Sequence, residues 1–207
     1  MTAFINNVYC VGRNYKLHAE ELGNAVPEEP MIFLKPNHAV AALNGESLAL
    51  PQGQGTIHFE GEIVIRAARD YTPGMSVNEL VDHMALGIDF TLRDVQSVIK
   101  AKGHPWTAAK GFKNSAPLSA WLPFPGNKEV EQTPFTVMKN GTQVQRGQAS
   151  DMIFSLQQIV DYIGQHYGLS EGDIVFTGTP EGVGPAEQGD TFELIWGEQS
   201  LGSCEIG

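Results

Sequence analysis

The chain reads as a succession of short apolar runs closed by glycine or proline, with few stretches of helical period. Asn6 to Val11 predicts a strand ended by Gly12, and Tyr15 to Leu22 a short helix stopped by Gly23. Met31-Ile32-Phe33-Leu34 predicts a second strand, closed by Lys35-Pro36, and Asn44-Gly45-Glu46 and Pro51 to Gly55 mark turns. His58-Phe59-Glu60-Gly61-Glu62 then runs straight into Ile63-Val64-Ile65. As a single strand this puts His58, Glu60 and Glu62 on one face and Phe59, Gly61, Ile63 and Ile65 on the other. Ser76-Val77-Asn78-Glu79 is a capping box that opens a short helix. Ala85 to Phe90 predicts a mostly apolar strand followed by a helix that Thr91 can cap, with Asp94 at its third position. Phe135 to Met138 and Thr142 to Gln145 flank Asn140-Gly141, a hairpin signal. The clearest helix runs from Ser155 to Tyr167. Leu156, Ile159, Val160 and Ile163 form its apolar stripe, Ser155 and Gln158 cap its start, and Gly168 stops it. Asp173 to Phe176 predicts a buried strand, and Phe192 to Trp196 with Leu201 to Ile206 a closing hairpin.

Composition narrows the function classes. With 207 residues of ordinary globular composition and no repeat, low-complexity tract or linker, the expectation is one domain over residues 1–207. No window of eighteen apolar residues occurs, and the first residues lack a basic and apolar leader pattern, so a cytoplasmic protein is expected. Cys10 and Cys204 make neither a disulfide framework nor a CxxC metal site. A formal net charge of -11 argues against nucleic acid or an anionic membrane as partner. An anionic ligand would need local counter-charge from a metal and a few placed Lys or Arg.

Several positions carry candidate chemistry. Glu60 and Glu62, about 7 Å apart along a strand, repel one another, and in a cleft a hard cation ligated by both would relieve this. The same alternation equally fits a strand with a solvated polar face. Asp89, an acid ending an apolar strand, needs a partner or a metal and is the natural third ligand. His18 and Glu21 are neighbours on a helix, where the carboxylate could orient the imidazole as a base, although a surface ion pair is the default for that spacing. Arg93 and Gln96 share a helix face, and either could reach a ligand carboxylate, although a solvated Arg is the commoner outcome. Lys110, among small and aromatic residues, is either functional or directed to solvent. Thr177-Gly178-Thr179-Pro180-Glu181-Gly182-Val183-Gly184-Pro185 is a loop whose N–H groups and Thr179 hydroxyl could bind an anion, or a plain surface turn.

These segments match a family pattern in order. Gly12-Arg13-Asn14-Tyr15-x-x-His18-x-x-Glu21, Phe33-Leu34-Lys35-Pro36, His58-x-Glu60-x-Glu62, Asp89-x-Thr91-x-Arg93-Asp94-x-Gln96, Pro105-Trp106-x-x-x-Lys110, Asp151-Met152-Ile153-Phe154 and the loop from Thr177 to Pro185 resemble the fumarylacetoacetate hydrolase family in its short, single-domain form. The resemblance implies an α+β, β-rich fold around a mixed rolled sheet with a few short helices, and a homodimer. It implies Mg²⁺ or Mn²⁺ on Glu60, Glu62 and Asp89, a catalytic group of His18, Glu21 and Lys110, and a substrate held by Arg93, Gln96 and Thr179. Three carboxylates without a soft ligand suit such a cation.

The resulting expectation is a metal-dependent enzyme acting on 2-oxo or 2,4-dioxo acids, with hydrolysis of the C–C bond of an acylpyruvate first. Oxaloacetate decarboxylation, oxaloacetate keto-enol tautomerisation and isomerisation or decarboxylation of an aromatic ring-cleavage product remain alternatives. A non-catalytic metal or carboxylate binder with the same fold is the reading outside enzymology. A metal-dependent phosphoesterase lacks support, because no His-rich two-metal cluster and no phosphate-binding Gly-Lys loop is present.

Overall fold

The computed structural model describes residues 4–21 and 26–207, apart from the side chains of residues 18–20. The largest element is an eight-stranded mixed sheet that curls into an open half-barrel. It contains β1 (Val8–Gly12), β2 (Met31–Lys35), β3 (Val40–Ala42), β6 (Gly61–Ala67), β7 (Val81–Ile88), β9 (Ala116–Leu118), β10 (Leu122–Pro123) and β13 (Ile174–Phe176). The strand order is β2-β1-β13-β6-β7-β9-β3, with β10 paired to β7. Five strands form a second sheet: β4 (Ser47–Leu48), β11 (Phe135–Lys139), β12 (Thr142–Gly147), β15 (Thr191–Trp196) and β16 (Gln199–Ile206). A small third sheet joins β5 (Ile57–Phe59), β8 (Thr91–Leu92) and β14 (Gly184–Ala186). The helices are short: α1 (Lys16–Glu21), α2 (Val77–Leu80), α3 (Arg93–Ala101), α4 (Thr107–Lys110), α5 (Asn127–Gln132) and α6 (Leu156–His166). No helix among the described residues is long and apolar enough to cross a membrane.

Both faces of the large sheet are covered, which explains the unbroken apolar run of β6. Ile63 and Ile65 enter the main core with Phe59, Phe135 and Phe192, while Val64 packs on the other face with Val8, Cys10 and Phe176. Local signals hold where they were strongest. The Ser76 and Ser155 capping boxes form, and Asn140 and Gly141 both take positive φ in the hairpin turn between β11 and β12.

Two local expectations change. The stretch from His58 to Glu62 is not one strand: β5 belongs to the small sheet, β6 to the large one, and Glu60 is the residue at which the chain crosses between them. Phe59 stays with the small sheet by packing on Phe192, at 5.1 Å between ring centroids. The Gly61 N–H leaves the ladder to donate to Gln145 Oε1. Thr91 does not cap α3. It lies in β8, the cap position falls on Leu92, and Asp94 instead accepts from the Thr56 N–H at 2.7 Å. Pairing of β8 with β5 outweighs the local capping preference, because it satisfies backbone groups in a buried place.

Candidate functional site

Strand register builds the acidic centre. In the antiparallel β6–β7 pair Gly61 faces Ile88 and Glu62 faces Gly87, so the next position along sets Glu60 opposite Asp89, tied by a 2.8 Å bond from the Asp89 N–H to the Glu60 carbonyl. Glu62, on β6, brings its carboxylate to the same place. The three carboxylates are buried, and a ligand oxygen from each lies within 4.8 Å of the others. Gly61 between them is required by packing, since a Cβ there would stand 2.3 Å from Val137 Cγ2. Burial of all three excludes the solvated-face reading of Glu60 and Glu62.

Three cations answer this charge. Lys110 Nζ donates to Glu60 Oε2 at 2.8 Å and Asp89 Oδ2 at 2.6 Å, below the Phe33 ring. At 3 % exposure it is not a lysine reaching for solvent. Burial would lower its pKa, but the Asp89 and Glu60 carboxylates prevail and raise it above the ordinary lysine range. Arg93 Nη2 donates to Glu60 Oε1 at 2.6 Å and its Nη1 to Gln96 Oε1 at 2.7 Å, so the i, i+3 pair does share a face. Lys35, whose role the sequence did not disclose, is the third. Its Nζ lies 2.7 Å from Asp89 Oδ1 and donates to Ser115 Oγ and to the carbonyls of Ser115, Phe90 and Lys110. Its sequence signals are a lysine closing an apolar strand directly before a proline and its place in the Phe33-Leu34-Lys35-Pro36 motif, neither of which gave it a role.

The oxygens of the triad fit a hard divalent cation. Asp89 Oδ1 lies 2.7 Å from the Lys35 ammonium but receives no well-aligned hydrogen bond among the described residues. Glu62 accepts from the Gly178 N–H at 2.6 Å, yet burial, reinforced by Asp89, pushes its pKa well above the carboxylate range. A buried carboxylate of this kind is stabilised by a cation.

The loop after β13 closes the site. It passes over Glu62 through Gly178 and brings Thr179, almost fully buried, to the same cleft as Arg93, Gln96 and Lys110. Arg13 and Lys100 also line this cleft, and sequence reasoning missed both. Burial, then the nearby Arg13 and Arg93 charges, lowers the Lys100 pKa. On α1 the Glu21 carboxylate sits 3.3 Å from the Gly182 N–H, on the same loop. His18 also lies on α1, and its side chain falls outside the described residues.

Residues 7–206 match the family model described as fumarylacetoacetate (FAA) hydrolase C-terminal. The chain is 39% identical over 202 residues to the oxaloacetate tautomerase of Escherichia coli, covering 95% of this chain and 91% of that one. It is 40% identical over 189 residues to the mitochondrial oxaloacetate tautomerase of Homo sapiens, covering 90% and 85%. Among solved structures, fumarylpyruvate hydrolase from Pseudomonas aeruginosa in complex with Mn²⁺ and pyruvate aligns with a TM-score of 0.90 at 34% identity, covering 98% of this chain and 89% of that one. With this fold, register and buried triad, the chain belongs to the fumarylacetoacetate hydrolase family.

Proposed function

We propose that this protein interconverts the keto and enol forms of oxaloacetate, or of a similarly short 2-oxo dicarboxylic acid, in a site that depends on a divalent cation. The observation that carries this reading is the charge layout of the cleft. The acidic triad lines the cleft, and so do Arg13, Lys100 and Arg93, three cations in a chain whose net charge is strongly negative. A dicarboxylate uses both features, one carboxylate beside the triad and the other on the flanking cations. The names of the two tautomerase relatives agree with this assignment.

In this reading Arg93, Gln96 and Thr179 bind the carboxylate and 2-oxo oxygens of the substrate. A cation on Glu60, Glu62 and Asp89 would add Lewis-acid polarisation of the 2-oxo oxygen. The Lys110 ammonium, 2.8 Å from Glu60 and 2.6 Å from Asp89, stands beside that oxygen and stabilises negative charge developing on it. His18, three residues from Glu21 on α1, takes the proton from C3 and, as the imidazolium, gives a proton back to the 2-oxo oxygen directly or through water, which yields the enol and returns His18 to its neutral form. The reverse sequence returns the keto form with no bond between carbons broken.

Acylpyruvate hydrolysis is the second reading, favoured by the similarity to a fumarylpyruvate hydrolase that binds pyruvate and Mn²⁺. It needs the same enolate end and, in addition, a water beside a distal carbonyl. The test is a side-by-side assay of oxaloacetate, acetylpyruvate and fumarylpyruvate with Mg²⁺, following enol absorbance and pyruvate release separately. Enol-keto exchange of oxaloacetate far faster than pyruvate release from any substrate is the expected result. Faster hydrolysis of either acylpyruvate overturns it, rapid pyruvate release from oxaloacetate alone would mark a decarboxylase, and no turnover of any substrate would mark a binding protein. Lys100→Met should raise KM for oxaloacetate roughly tenfold or more, with a much smaller effect on the monocarboxylate acetylpyruvate.

A further inference from the structure

Gln145 on β12 is 2 % exposed, and its side chain joins the two halves of the cleft. Its Oε1 accepts from the Gly61 N–H, the amide between Glu60 and Glu62, at 2.9 Å. Its Nε2 donates to Thr179 Oγ1 at 2.9 Å and to the Pro180 carbonyl at 3.0 Å. These partners fix the polarity of the carboxamide. The Gly61 N–H can only donate and the Pro180 carbonyl can only accept, so a flipped amide would set donor against donor and acceptor against acceptor. Nε2 has two hydrogens, and its near acceptors are the Thr179 hydroxyl and the Pro180 carbonyl, with the Glu181 carbonyl more distant at 3.4 Å, so the Thr179 hydroxyl accepts one of them. That hydroxyl then has one hydrogen of its own to give, no acceptor for it occurs among the described residues, and Thr179 lines the cleft.

We propose that Gln145 is a positioning residue that sets the Thr179 hydroxyl as a hydrogen-bond donor to an anionic oxygen of the bound ligand, and keeps that donor in register with Glu60 and Glu62. The ligand class rests on the 2-oxo acid reading above. The loop has little freedom to evade this control. Gly182, at φ +92, lies so close to β12 that a Cβ would stand 2.3 Å from the Val144 carbonyl oxygen. The polarity matters for selectivity, because a donor fixed from behind favours an ionised or carbonyl oxygen over a hydroxyl that must itself donate.

Oxalate in the presence of Mg²⁺ is the probe, with binding measured by calorimetry. Thr179→Val and Gln145→Met should each weaken oxalate binding roughly ten- to hundred-fold, the range for a hydrogen bond to a charged group. Gln145→Glu should weaken it further, since a carboxylate accepts from Thr179 and turns the hydrogen away from the ligand. In a Thr179→Val background both Gln145 changes should add little, because the residue acts through the hydroxyl. Mg²⁺ binding without oxalate should change less than about threefold in Gln145→Met, a smaller effect than loss of one charged hydrogen bond. Multiplying effects in the double variants, a Gln145→Met protein that binds oxalate normally, or loss of cooperative melting in both Gln145 variants would overturn the proposal in favour of a purely structural strut. Wild-type protein that binds no oxalate with Mg²⁺ would overturn the 2-oxo acid reading itself. Normal oxalate binding by Thr179→Val would overturn only the role given to Gln145.

Discussion

Asp89 has a lysine at each oxygen, Lys35 at Oδ1 and Lys110 at Oδ2, and the two are not equivalent. Lys35 is fully enclosed and spends its hydrogens on loop acceptors, whereas Lys110 lines the cleft. Lys35→Met should therefore act on stability: removing one partner of a buried ion pair costs about 3–5 kcal/mol, measurable by urea unfolding. Millimolar Mg²⁺ should narrow that deficit, since a cation bound only by the folded chain replaces part of the lost charge. A loss below about 1 kcal/mol, the range of a surface pair, would show that Lys35 is not the counter-ion of Asp89. Lys110→Met is expected to affect turnover instead. Lys110 lies within hydrogen-bond distance of both Glu60 and Asp89, and those carboxylates raise its pKa and favour the ammonium form.

Among the elements, the start of β6 and the start of α3 each answer to one residue. Gly61→Ala forces a methyl against Val137 and should cost about 1–3 kcal/mol as overpacking. The same change displaces Glu60 and Glu62, so the rise in melting temperature on adding Mg²⁺ should shrink as well; an unchanged rise would detach the triad from the cation. Asp94 anchors α3 to Thr56, whose N–H and hydroxyl hold the Asp94 pKa below the ordinary carboxylate range. A carboxylate with a lowered folded-state pKa contributes stability that is present above its unfolded pKa, about 3.9, and lost as pH falls through the folded value. Wild type should thus exceed Asp94→Asn in stability near neutrality, with the gap closing in acid, as unfolding at a series of pH values would show. On α1, His18→Ala should lower turnover by roughly a hundred- to ten-thousand-fold, as for a lost general base, with oxalate affinity largely kept. Normal turnover would return His18 and Glu21 to a surface ion pair.

Across the whole molecule, an acidic chain gathers a local cluster of charge: Lys35, Lys110 and Arg93 pair with Glu60 and Asp89, and Glu62 lies beside them. A dication alone unbalances that cluster, and a dianion alone unbalances it the other way, so the two should bind with positive coupling. Mg²⁺ affinity is expected to rise at least tenfold with saturating oxalate, and oxalate affinity by the same factor with Mg²⁺, by linkage. Independent binding in calorimetry would contradict this. The acid pair, the Arg93 and Gln96 face and the Ser76 and Ser155 caps were legible in the sequence because each depends on short-range spacing, and the family was legible because its motifs recur in order along the chain. The break of the strand at Glu60, the burial of Lys35, the cations Arg13 and Lys100 and the link through Gln145 were not. Each is set by partners distant along the chain, such as Asp89 opposite Glu60 by register, Gln145 on Gly61, and Gly178 on Glu62. The sequence by itself determined the family and the candidate acids Glu60, Glu62 and Asp89. Only the tertiary structure decided which charges face one another and which donors point inward, because register and burial are properties of strands brought together from distant parts of the chain.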